Sequence, residues 1–188
     1  MQNYFKTESP QIIVFDNKIE TVPGGITLAV KDLTQKRVSA GTPAGKDSNG
    51  LYHVTKTARI NTAVGEADKS IKVDKKHNFK VGDILAYGSK GYAITKIDQS
   101  NAGYDAITVP TALGAIAVGE VVFEGDNAGD DGVKFKYSPV LLTGTTMDVI
   151  EGDNHLVDGV VRGSVREAAI DAAISEEIKK LLTLIRFV

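Results

Sequence analysis

The sequence predicts a mainly β protein: a β-sandwich or barrel-like body, interrupted by a small inserted β module and closed by a C-terminal helix. Three observations lead there. Short runs alternating apolar with polar residues, rich in Val, Ile and Thr, recur between turn signals along most of the 188 residues. One phrase occurs twice, first as Ile71-Lys72-Val73 reaching Val81-Gly82-Asp83-Ile84-Leu85, then as Ile107-Thr108-Val109 reaching Val118-Gly119-Glu120-Val121-Val122. Helical spacing appears only near the C-terminus, where Ile170, Ile174, Ile178 and Leu182 recur on one face.

In chain order, residues 1–20 read as a polar N-terminal arm with one apolar run, Ile12-Ile13-Val14-Phe15, turned by Asp16-Asn17. Residues 21–69 and 125–188 form a discontinuous β body, and 70–124 the inserted module. Pro23-Gly24-Gly25 is a turn before the alternating Ile26–Val30. A strand centres on Val38, and Ala40–Gly45 is expected to break regular structure. Asn49-Gly50 ends a polar hairpin tip before Leu51–Val54.

In the module, each Gly-acidic pair turns the chain into an apolar strand, and the two are expected to form matched corners. Tyr92–Asp98 alternates between them. Residues 124–132 make an acidic, Gly-rich loop that closes the module. The body resumes through Phe135–Tyr137, Pro139–Leu142, Met147–Ile150 and a strand over Leu156–Arg162. Ser164-Val165-Arg166-Glu167 matches a capping box, with a second helix start at Ser175-Glu176-Glu177. Leu184–Val188 is a final strand.

Composition narrows the function. The chain has no Cys, so disulfides and thiolate metal sites are excluded. A net charge of −2 gives no electrostatic reason to expect nucleic acid as partner. No apolar run approaches the ~20 residues needed to span a bilayer, so no membrane is expected.

No catalytic constellation is legible. His53, His77 and His155 are far apart and lack metal-ligand spacing, so ordinary hydrogen bonding accounts for them. Glu124, Asp126, Asp130 and Asp131 are the best candidate ion ligands, but their spacing is not that of an EF-hand, and a solvated linker accounts for them. Gly41–Lys46 lacks the Gly-Lys-Ser/Thr ending of a phosphate loop. Ser100, Ser138 and Ser164 lack a nucleophile-elbow context. No catalytic, cofactor or metal residue is assigned.

Several strings resemble phage-encoded head proteins: Pro23-Gly24-Gly25-Ile26-Thr27-Leu28, Ala40–Gly45, His77-Asn78-Phe79-Lys80-Val81-Gly82-Asp83, Val160–Glu167 and Leu184–Val188. Together they are similar to head-fibre or capsid-decoration proteins of tailed phages and prophages. The resemblance implies a non-enzymatic virion protein on the capsid surface, made in the host bacterial cytoplasm. Its partner would be the major capsid protein, and the chain would be a homo-oligomer, with a trimer favoured. It also implies that the arm, through Ile12, Ile13, Val14 and Phe15, orders against the capsid, while the module faces outward. A second reading from the residues is a ligand- or glycan-binding β module. Its contacts would be Tyr87, Tyr92 and Tyr104, since aromatic faces stack on sugars.

Overall fold

Alternation and turn chemistry place most of the strands. The computed structural model describes residues 12–188 and is mainly β, with 39% strand against 5% helix. The first five strands are β1 (Phe15–Thr21), β2 (Ile26–Leu28), β3 (Arg37–Val38), β4 (Pro43–Lys46) and β5 (Tyr52–Val54). The module carries β6 (Thr57–Arg59), β7 (Ser70–Val73), β8 (Ile84–Tyr87), β9 (Lys90–Ala93), β10 (Lys96–Asp98), β11 (Asp105–Thr108) and β12 (Val121–Glu124). The chain ends with β13 (Leu141–Thr143), β14 (Met147–Asp148), β15 (His155–Val157), β16 (Gly159–Val165), a 3-10 turn at Glu167–Ala169, the helix α1 (Glu176–Leu181) and β17 (Ile185–Phe187).

The body is a curled sheet in the order β1-β16-β13-β4-β5-β2-β15, with β17 pairing parallel to β16. Ile26, Leu28, Val54 and Leu141 pack in one core of the body. In a second, Leu142, Val160 and Val165 meet Ile174, Ile178, Leu182 and Ile185 from the C-terminal segment.

Four expectations about the body change. Pro43-Ala44-Gly45 does not break the sheet; it is the buried central strand β4, between β13 and β5. Pro is tolerated as the first residue of a strand. Gly45 is required by close approach, because a Cβ there would lie 2.2 Å from the Ser138 carbonyl oxygen. The strand expected over Leu156–Arg162 divides at Asp158: β15 pairs with β2, whereas β16 pairs with β1 and β13. The Asp158 carboxylate accepts from Lys18 Nζ at 3.0 Å, and its carbonyl accepts from the Gly144 N–H at 2.6 Å, which pins the division.

The third change concerns residues 15–20, which are not part of an arm. Asp16-Asn17 does not turn the chain but lies within β1, which pairs antiparallel with β16 with a shift of register at Asp16. Most of β1 is exposed, so no apolar alternation marks it, and the backbone of β16 is its template. The fourth is the capping box at Ser164. Ser164 lies inside β16, facing Asn17 on one side and Arg186 on the other, so its backbone is already spent in the sheet. Helix α1 starts from the second signal instead, where the Ser175 hydroxyl accepts from the Ile178 N–H at 3.2 Å. Between the two, residues 170–175 stay non-helical because they dock on neighbours. The Ala173 carbonyl accepts from Thr57 Oγ1 at 2.7 Å, and Asp171 Oδ2 from Ser39 Oγ at 2.5 Å. Ser175→Ala is expected to cost about 0.5–2 kcal/mol by loss of the cap, measured as a shift in the urea midpoint.

The module consists of two small sheets, β10-β11-β7 and β6-β12-β8-β9, around one core. Its core draws on Ala58, Ile60 and Val64, upstream of residue 70. Val64 exchanges two backbone hydrogen bonds with Ile116, so the stretch 63–69 is tied in rather than a free linker.

The repeated phrase folds as a pseudo-two-fold. Ile71 and Ile107, equivalent in the two copies, are direct partners in the β7/β11 pair, and Ala86 and Phe123 are partners in β8/β12. Gly82 and Gly119 adopt φ values of 94° and 87°, left-handed geometry that favours Gly at both corners. Each corner is clamped from outside its own copy. Gly82 N–H donates to the Ile94 carbonyl, and Ile94 N–H donates back to Asp83. Gly119 and Glu120 make the same exchange with Ile60.

Candidate functional site

The apolar run before β1 splits in two. Ile12 and Ile13 are 77% and 56% exposed, whereas Val14 and Phe15 are half-buried against the core beneath α1. The Val14 carbonyl accepts from the Arg166 N–H at 2.8 Å, which fixes where the chain enters the body. Arg166 Nε also bonds Asp16 Oδ1 at 2.6 Å. Beyond this anchor, β1 carries Lys18 and Glu20 and is the outer strand of its sheet among the described residues.

The three tyrosines are dispersed. Tyr87 and Tyr92 pack against the module core, while Tyr104 lies before β11 in the other sheet with Lys72 Nζ 5.1 Å from its ring centre. No ring pair joins any two of them among the described residues. Burial, with Glu120 next in weight, pushes the Tyr87 phenol up. A hydrogen bond to Asp130 does the same for Tyr92.

The acidic loop is occupied with its own chain. Glu124 is buried at the end of β12, Asp126 accepts from the Lys134 N–H, Asp130 from Tyr92, and Asp131 from the Gly132 N–H. Among the described residues no three His, Asp or Glu side chains are grouped to hold a metal ion. No helix there is long and apolar enough to cross a membrane.

His53 stacks on Tyr137 with ring centres 4.0 Å apart, and His155 Nε2 accepts from the Ile150 N–H. His77 is buried where the module meets the body. Its Nδ1 accepts from the Phe79 N–H at 3.2 Å, and Nε2 faces Asp105 Oδ2 at 3.1 Å. Asp105 also holds Lys75 and Gln99. Nδ1 is thus hydrogen-bonded inside the chain, whereas Nε2 is buried without a hydrogen bond and only faces the Asp105 carboxylate. Burial lowers the His77 pKa below 6.5, although Asp105 opposes the shift. As pH falls below about 6.5, the unfolded imidazole takes up a proton before the folded one. The stability from neutral His77 is thus complete above that value and drains as pH falls toward the depressed folded pKa. The urea midpoint should decline between about pH 7.5 and 5.5, and His77→Gln should flatten that decline. Equal slopes in the two proteins would contradict it.

Beside His77 a cleft of about 350 Å³ opens between module and body, with Arg37, Lys76, Asn78 and Asp171 among its lining residues. Its walls are bonded together: Asn78 Oδ1 accepts from the Thr34 and Gln35 N–H groups, and Gln35 Nε2 donates to the His77 carbonyl. The Ser39 hydroxyl, with Lys76 beside it, holds the Asp171 carboxyl below its usual range. Asp32 and Lys80 pair at 2.5 Å on the exposed side of the same junction.

The densest polar group lies deeper and joins residues far apart in sequence. Lys56 Nζ is 2.7 Å from Asp83 Oδ2 and 3.5 Å from Glu124 Oε2, and Lys136 Nζ is 2.7 Å from Glu124 Oε1. The sequence holds one signal for Lys56: it shares the inward phase of Val54, Ala58 and Ile60.

Comparison of the chain with protein-family models, with curated proteins and with solved structures finds no match.

Proposed function

We propose that this chain is a structural subunit of a tailed-phage virion, an auxiliary capsid-decoration or head-fibre protein docking on the outside of the shell. The resemblance of its Pro-Gly-Gly, Val-Gly-Asp and C-terminal strings to head proteins motivates the reading. The observation that carries it is the apolar run at the entrance to β1. Val14 and Phe15 anchor it to the body, while Ile12 and Ile13 project unburied next to a strand with no outer partner among the described residues. An extended apolar segment beside such a strand is suited to strand addition with a neighbouring protein. In this reading the neighbour is the major capsid protein, and the subunit works as a homo-oligomer, with a trimer favoured.

Co-sedimentation with expanded capsids of the chain's own phage tests the proposal, with the solution mass measured alongside. Wild type should bind as a defined oligomer. Ile12→Asp/Ile13→Asp should lose binding about tenfold or more with its thermal midpoint unchanged, because strand addition relies on those side chains and the body does not. A monomer without affinity for those capsids would sink the reading.

A further inference from the structure

The start of β6, the first Gly-acidic corner and the end of β12 meet at one enclosed site. Lys56, Asp83 and Glu124 contribute side chains each at most 4% exposed. Asp83 Oδ2 accepts from Lys56 Nζ at 2.7 Å and from the Lys80 N–H at 3.0 Å. Glu124 is held through Oε1 by Lys136, yet its Oε2 is buried without a hydrogen bond and faces the Lys56 nitrogen at 3.5 Å.

The corner itself does not demand a buried acid, since Glu120, the pseudo-symmetric twin of Asp83, is exposed. Enclosing an amine and two carboxyls is costly unless the groups neutralise one another. What the site provides is a primary amine in contact with a carboxyl, a second carboxyl with a free oxygen beside them, and exclusion of water.

We propose that Lys56 and Asp83 are the reacting pair of an intramolecular isopeptide bond, with Glu124 moving the protons. The Lys56 ammonium passes a proton to Asp83 across their hydrogen bond, leaving a neutral amine and a carboxylic acid. The amine nitrogen attacks Asp83 Cγ, forming the C–N bond and a tetrahedral centre with the negative charge on Oδ1 and the hydroxyl on Oδ2, the oxygen that the Lys80 N–H holds. Glu124 Oε2 takes a proton from the new C–N nitrogen and delivers it to the hydroxyl on Cγ. The C–O bond breaks and one water leaves. Glu124 ends as the carboxylate it began as, and no oxidant or reductant is consumed. The product is an amide closing the chain between residues 56 and 83. The assignment does not depend on the virion reading.

Mass spectrometry of the denatured full-length chain tests it. The purified wild type should weigh less than its sequence by one water. Trypsin should leave the bond after Lys56 uncut, and that peptide should be joined to the one carrying Asp83. Lys56→Arg should appear at full mass. Glu124→Gln, checked for native circular dichroism, should form the bond about a hundredfold more slowly or not at all. Wild type still at full mass after prolonged incubation at neutral pH overturns the proposal, whether or not any variant folds. A link from Lys56 to Glu124 overturns the assignment of Asp83. Loss of water by Glu124→Gln at the wild-type rate overturns the role of Glu124.

Discussion

Ile71→Ala and Ile107→Ala are each expected to lower the unfolding free energy by about 2–5 kcal/mol. Both side chains are fully buried, and they face each other across β7 and β11 at the pseudo-two-fold of the module. Removing either takes away transfer energy and leaves a cavity between two sheets. Collapse there is resisted, because the clamped corners at Gly82 and Gly119 fix both ends of the module. The two losses should also couple. Direct neighbours depart from additivity by about 0.5–3 kcal/mol, so the double variant should differ measurably from the sum. Urea unfolding of the two single variants and the double, followed by fluorescence and circular dichroism, gives all the quantities. A cost below about 1 kcal/mol at either site would mean the core is looser than this packing describes.

Against wild type in which Lys56 and Asp83 are still an ion pair, Lys56→Met is expected to be as damaging, by about 3–5 kcal/mol, for an electrostatic reason. Lys56 is the only ion-pair partner of Asp83 among the described residues, whereas Glu124 keeps Lys136. Methionine fits the space but strands the Asp83 carboxylate out of water. Adding Asp83→Asn should therefore return most of the loss, since the amide fills the same volume without a charge. Neither variant carries an amine at position 56, so their difference reads the stranded charge alone, free of any cross-link. If Lys56→Met/Asp83→Asn were no more stable than Lys56→Met, packing rather than charge would be the cause.

The parts of the fold legible in the sequence were those with a local period. The twin phrase foretold matched corners because left-handed Gly, an acid and an alternating strand recur together in each copy. Ser175 was legible as a cap for the same kind of local reason. Pairing partners were not legible. The strand β1 is set by β16, and nothing in its own mostly exposed residues shows it. The buried status of Pro43-Ala44-Gly45 follows from strands on both sides, and Asp158 divides two strands only because Lys18 and Gly144 hold it. The apolar residues Ile170, Ile174, Ile178 and Leu182 all face inward, as their spacing predicts, although only part of that stretch is helical. Charge was the least legible of all. Apart from the inward phase of Lys56, nothing local marks Lys56, Asp83 or Glu124 as buried, and the convergence that encloses them spans three separate strands or corners.

The clamping of both corners by residues outside the two copies bears on how the module is made. The corner at Gly119 closes on Ile60, far upstream, and the corner at Gly82 on Ile94. The closure of Gly119 therefore brings it back to a residue just past β6, before the first copy begins. Such closure costs chain entropy before it gains contacts, which places folding in the slow, millisecond-to-second range of non-local β topologies. The two clamping residues, Ile60 and Ile94, are both buried in the one module core, so the corners are expected to open with it. Amide protons at Ile60, Gly82, Ile94 and Gly119 should exchange with solvent together, at the rate of the whole module opening.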